Sequence, residues 1–80
     1  MEGTGADQHI DLRGVSCPLN YVRTKLKLEG MKEGQILEVW LDDGESILSV
    51  PRTVKEEGHK ILEIRQVETY FRLLVRKKEC

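Results

Sequence analysis

The stretch GQILEVWLDDG, Gly34 to Gly44, alternates Leu37, Val39 and Leu41 with Ile36, Glu38 and Trp40 between glycine-bearing turns. A period of two predicts a strand over Gln35–Asp42 with one apolar face turned to a core. Upstream the period changes. From Pro18, Leu19, Val22 and Leu26 follow i, i+3, i+7 spacing, while Arg23, Lys25 and Lys27 fall elsewhere, which predicts a helix ending near Gly30. Before it, His9–Leu12 alternates and stops at Gly14, a short first strand. Downstream, Ile47, Val50 and Val54 mark a second helix over Glu45–Glu57, with Asp42 or Asp43 available as N-cap, Gly58 as stop, and Pro51 expected to kink or split it. His59–Val67 and Tyr70–Lys77, separated by Glu68-Thr69, read as an antiparallel hairpin.

The order is β-α-β-α-β-β. A right-handed crossover makes the first two strands parallel and the hairpin adds antiparallel pairing. The predicted fold is α+β: a two-layer α/β sandwich with a mixed four-stranded sheet and two helices on one face. Met1–Gln8, polar and Gly-rich, is expected as a flexible tail before a single domain over residues 9–78. The open sheet face then carries Ile36, Trp40, Tyr70 and Leu74 with Glu38, Arg72 and Arg76. It either docks a partner or another copy, or meets water under long charged stems.

A chain of 80 residues holds one small core and little else. A net charge of -1 argues against nucleic-acid binding through bulk electrostatics. Neither a signal peptide nor a membrane helix is readable, so the expected compartment is the cytoplasm and no membrane partner is implied. Two cysteines, Cys17 and Cys80, are too few for a disulfide framework. His9, Cys17, His59 and Cys80 lack paired ligand spacing, so no metal is expected; there is no Gly-rich phosphate loop, and no cofactor is implied. Asp42-Asp43 reads as a capping pair rather than a cation or proton site. His59 beside Gly58 reads as a surface turn residue, and Cys80 as an incidental terminal thiol.

Pro18 suits the first helical position, which makes Cys17 the N-cap. There its sulfur faces free N–H groups and the positive end of the helix dipole, and Arg13, across a turn containing Gly14, offers a cation. Taken on physics alone, two readings stand: inert packing, as for most lone cysteines, or an activated thiol.

The segments IDLRGVSCPLNYVRTKLKLEGMKEGQILEV and DDGESILSVPRTVKEEGHKILEIRQ together resemble the TusA (SirA-like, YedF-like) family of small sulfur-carrier proteins, from about His9 to Lys78. Asp11, Leu12, Gly14, Cys17 and Pro18, then Asp42-Asp43, Pro51 and Gly58, carry the match. The resemblance implies a sulfurtransferase in which Cys17 takes sulfane sulfur as a persulfide from a cysteine desulfurase or rhodanese-like donor and passes it to an acceptor protein. Transfer RNA thiolation, cofactor synthesis and sulfur energy metabolism all remain open as destinations. Pro18 would fix the cysteine at the helix start, supported by Arg13, Gly14 and Asn20, and the monomer is the expected state. The family motif is Cys-Pro-X-Pro, whereas this chain reads Cys17-Pro18-Leu19-Asn20, and the Asn20 N–H is expected to give the Cys17 thiolate an extra donor. The alternative is a regulatory or adaptor domain binding partners through the open face, including Trp40, or through the helix residues Arg23, Lys25 and Lys27. A redox-sensing thiol is a third possibility.

Overall fold

The computed structural model describes residues 6–16 and 19–78. The elements are β1 (Gln8–Asp11), α1 (Leu19–Glu29), β2 (Ile36–Asp42), α2 (Glu45–Glu56), β3 (Lys60–Val67) and β4 (Tyr70–Arg76). The sheet order is β1-β2-β4-β3, with β1 parallel to β2 and both other pairings antiparallel. This is the expected two-layer α+β sandwich.

The alternation in β2 decides the core. Leu37, Val39 and Leu41 are all fully buried, and with Leu73 and Val75 of β4, Leu28 of α1 and Val50 and Val54 of α2 they form one apolar cluster. Burying a side chain of this size contributes roughly 1.5–3 kcal/mol, so this cluster supplies most of the drive to fold. Gly58 ends α2 with a φ of 100°. Its N–H donates to the Lys55 carbonyl and the His59 N–H to the Val54 carbonyl, the paired bonds of a Schellman stop that a left-handed glycine allows.

Four expectations need correction. Ordered pairing begins before His9, since β1 starts at Gln8 and the Asp7 N–H donates to the Ile36 carbonyl at 2.8 Å. Neither Asp42 nor Asp43 caps α2: Gly44 is the N-cap and no side chain bonds to the free amides there. Pro51 does not split α2, which runs unbroken through it with the ring buried. The largest departure is the face of α1. Leu19, Val22 and Leu26 are 50%, 40% and 62% exposed, whereas Asn20, Thr24 and Leu28 are buried.

The inward stripe of α1 therefore follows i, i+4, i+8 and is polar for two of its three members. That is tolerable because both polar side chains are satisfied. The Thr24 hydroxyl donates to the Asn20 carbonyl, and the Asn20 amide donates to Ser46 Oγ on α2 at 2.8 Å. At the other end, Leu28 and Met31 enter the core and Lys77 Nζ donates to the Leu28 carbonyl at 2.6 Å. Ties at both ends set the rotation of α1 against the pull of its own apolar stripe.

The open sheet face is covered by its own long side chains. Leu74 is 7% and Glu38 9% exposed, with Glu38 accepting from the Trp40 indole N–H at 2.6 Å and facing Arg72 at 3.9 Å. Trp40 lies between His9 and Tyr70, at ring-centroid distances of 4.5 and 5.1 Å.

His59 gives this fold a pH-dependent joint. Its Nδ1 accepts from the Lys78 N–H at 3.1 Å, and burial, then the charges of Lys78 and Lys77, lower its pKa below the usual 6.5. The unfolded chain then binds the proton more readily than the folded one, so stability is complete above pH about 6.5 and declines as pH falls below that value. Melting midpoints measured between pH 7.5 and 5 are expected to fall less steeply in His59→Gln than in the parent; identical slopes would show that other groups govern the dependence.

Candidate functional site

The candidate site is the connection from β1 to α1. Cys17 and Pro18, the expected carrier thiol and its helix-starting proline, lie outside the described residues, as does Cys80. The flanks are well defined. Asp11, the last residue of β1, accepts two hydrogen bonds from the Arg13 guanidinium, at 3.0 and 2.9 Å, and one from the Arg13 backbone N–H at 3.1 Å. These bonds, the side-chain ones foremost, lower the Asp11 pKa to about 2, so the pair stays charged throughout the neutral range. The same guanidinium lies over Trp40 and Tyr70, 4.7 and 4.6 Å from the ring centroids.

One residue on, Gly14 turns with a φ of 83°, where an L side chain is strained. Its N–H donates to Asp42 Oδ2 at 2.6 Å, and the Val15 N–H donates to the Leu12 carbonyl. The loop is thus held by Asp11 from β1, Trp40 and Asp42 from β2 and Tyr70 from β4. Ser16 and Leu19, which bracket the two residues between them, are exposed.

This arrangement changes two expected roles. Arg13 is committed to Asp11 and the two rings, so it acts as an anchor for the loop. The Asn20 N–H donates to the Ser16 carbonyl at 3.2 Å, an i to i−4 helical bond, so the donor expected for the cysteine has a backbone acceptor. Asn20 is instead the inter-helix tie, wholly buried, with its amide on Ser46 and its Oδ1 accepting from the Tyr21 N–H. Asn20→Ala is expected to cost about 1–3 kcal/mol in urea unfolding with the m-value unchanged, since it strips the partner from a part-buried hydroxyl and empties a filled space. A midpoint equal to that of the parent would show the tie to be dispensable.

The structure joins Arg13, Gly14 and Trp40 into one anchor, whereas Arg23 and Lys27 stand apart on α1, Arg23 exposed and Lys27 half-buried. Asp42, Tyr70 and Ser46 belong to the site without having been singled out for it. The Asp42-Asp43 pair was visible as an anomaly at a strand end, but its preference for the Gly14 amide over the next helix depends on β1 lying beside β2. A shallow recess of about 360 Å³ adjoins the loop, lined by Gly14, Ser16, Asp42, Asp43, Glu45 and Ser46 among others. Its rim is acidic on the β2 side. Among the described residues no group of three or more His, Cys, Asp or Glu is placed to hold a metal ion. No described helix is long and apolar enough to cross a membrane.

The family model described as sulfurtransferase TusA matches residues 8–77. The chain belongs to the TusA family. Among TusA-family relatives, the sulfur carrier protein TusA of Allochromatium vinosum is 32% identical over 71 residues, covering 89% of this chain and 93% of that protein. A protein of Archaeoglobus fulgidus, named "Putative sulfur carrier protein", is 43% identical over 74 residues, which is 91% of this chain and 84% of its own. The crystal structure of a SirA-like protein from Desulfitobacterium hafniense shares the fold, with a TM-score of 0.75 at 20% identity over 90% of this chain and 99% of that one. In TusA-family terms this chain departs from the Cys-Pro-X-Pro motif at Asn20, the residue that here ties the two helices.

Proposed function

We propose that this chain is a sulfur carrier whose Cys17 holds sulfane sulfur as a persulfide and delivers it to an acceptor protein in the cytoplasm. The observation that carries the reading is the loop itself. Side chains from three strands hold Arg13 and Gly14, while Ser16 and Leu19, the described residues on either side of Cys17-Pro18, are exposed. A rigid loop presenting an accessible thiol is what group transfer between two proteins requires. In the step itself, the Cys17 thiolate attacks the outer sulfur of the donor persulfide. One S–S bond forms, the donor's S–S bond breaks, and its electron pair leaves on the donor thiolate with no net oxidation.

The misplaced apolar stripe supports the same reading. Leu19, Val22 and Leu26 run along the outer face of α1, beginning two positions after Cys17 in the sequence, with Arg23 among them and Lys27 alongside. An exposed apolar stripe that starts next to the motif in the sequence suits protein contact, and in this reading it is the docking surface for a donor such as a cysteine desulfurase and for the acceptor. Trp40, packed under Arg13, belongs to the anchor and is not free for docking.

Intact-mass measurement after incubation with glutathione persulfide tests the reading. The parent chain and Cys80→Ser are expected to gain one sulfur atom and lose it to an acceptor thiol, and Cys17→Ser is expected to gain none. Equal loading of Cys17→Ser would assign the chemistry elsewhere.

A further inference from the structure

The strand β3 is an edge of the sheet, paired among the described residues with β4 alone. Its register carries an irregularity: Ile61 pairs with Val75 and Ile64 with Leu73, while the ladder slips between Ile61 and Glu63. Strict alternation would send Ile61 and Ile64, three positions apart, to opposite faces. The bulge around Leu62 turns both toward α2, opposite the fully buried Val75 and Leu73. Yet α2 does not cover the second of them, and Ile64 remains 47% exposed. A bulge that places an isoleucine in a half-open position spends ladder pairing without completing the core.

What it completes is a groove. Between α2 and β3 lies a cleft of about 540 Å³ with Pro51, Ile61 and Ile64 as its apolar lining, and that volume lies in the usual range of ligand sites. Arg52 and Lys55, three apart on α2, stand on one wall and Lys60 on the other, and among the described residues no acidic one lines it. In a chain of net charge -1, three cations around one apolar cleft are a local reversal of sign. The groove lies at the end of the sheet where Lys60 pairs with Arg76, away from the Asp42–Tyr70 end beside the Cys17 loop.

We propose that this groove binds an extended acidic peptide segment of a partner protein. The segment seats a large apolar side chain on Ile61 and Ile64, and its carboxylates meet Arg52, Lys55 and Lys60. Its backbone runs along the outer edge of β3, which no other strand of the sheet pairs. A membrane surface fits less well, because the apolar groups form a recessed floor rather than projecting beyond the cations. The proposal does not depend on Cys17.

Fluorescence anisotropy of a fluorescein-labelled peptide alternating Glu with Leu and Phe, titrated with the full chain, tests it. Binding is expected to weaken with added salt, and about five- to tenfold in Lys55→Glu, the scale of one reversed charge in a charge-matched contact. Ile64→Thr, which keeps the β-branch, is expected to weaken it several-fold, whereas Lys32→Glu, the same charge change on an exposed loop, is expected to leave it unchanged. Equal losses in Lys55→Glu and Lys32→Glu, or equal binding of the lysine counterpart of the peptide, would overturn the proposal. So would absence of binding at about 1 mM, the weakest affinity of practical consequence. Displacement of the peptide by octanoate at matched concentration would assign the groove to a free amphiphilic anion instead.

Discussion

Arg13→Ala is expected to slow sulfur transfer through Cys17 by about tenfold to a hundredfold, the range that a displacement of about 1 Å in a reacting group costs. The substitution removes two bonds to Asp11 and both ring contacts at once, so among the described residues Gly14 to Ser16 keep the Asp42 carboxylate, the Leu12 carbonyl and the Asn20 N–H as holds. Global stability should change little, because the Asp11–Arg13 pair is solvent-exposed, with side chains 40% and 41% accessible. Arg13→Lys should recover only part of the rate: an ammonium cannot make the two-pronged bond to a carboxylate while lying flat on two rings. Single-turnover transfer from persulfidated protein to an acceptor thiol measures the effect, with Trp40 fluorescence reporting whether the cation has left the ring. A rate unchanged alongside a shifted Trp40 signal would show that the loop holds its place without the anchor.

Leu73→Ala is expected to cost about 2–5 kcal/mol, the usual price of truncating a buried leucine where neighbours cannot close the gap. Leu73 is fully buried in β4 and pairs with both Val39 and Ile64, so the hole opens between β2 and β3 beneath the helices. For a domain of this size each kcal/mol moves the melting midpoint by about 4–8 °C, so a fall of 10 °C or more is expected from roughly the lower bound upward. Leu26→Ala is the matched control. Had the outward stripe of α1 been its core face, Leu26 would cost as much as Leu73; at 62% exposure it is expected to stay within about 0.5 kcal/mol of the parent. Comparable losses in the two variants would contradict the observed rotation of α1.

Most elements were legible because their periods are local. The alternation of Leu37, Val39 and Leu41 needs only the pleat of a strand, and the Gly58 stop needs only the left-handed turn that glycine allows. The candidate site was legible in part. Gly14 could be read as a turn because its left-handed backbone acts on its immediate neighbours, whereas the reading of Cys17 and Pro18 as a helix start falls outside the described residues. Arg13 was read through its distance along the chain to Cys17. Its actual partners, Trp40 and Tyr70, lie 27 and 57 positions away, beside it only because β2 and β4 pair in the observed register.

The sequence by itself determined the order of elements, the core face of β2 and the parallel crossover, since these follow from spacing and side-chain type over a few residues. Tertiary structure alone decided which face of α1 turns inward, what Asp42 binds, where the Arg13 charge goes and that Asn20 joins the helices. The physical reason is competition between distant groups. Burying Asn20 and Thr24 is unfavourable for an isolated helix and becomes acceptable only when Ser46 and the Asn20 carbonyl satisfy them while Leu28 enters a core built by other elements.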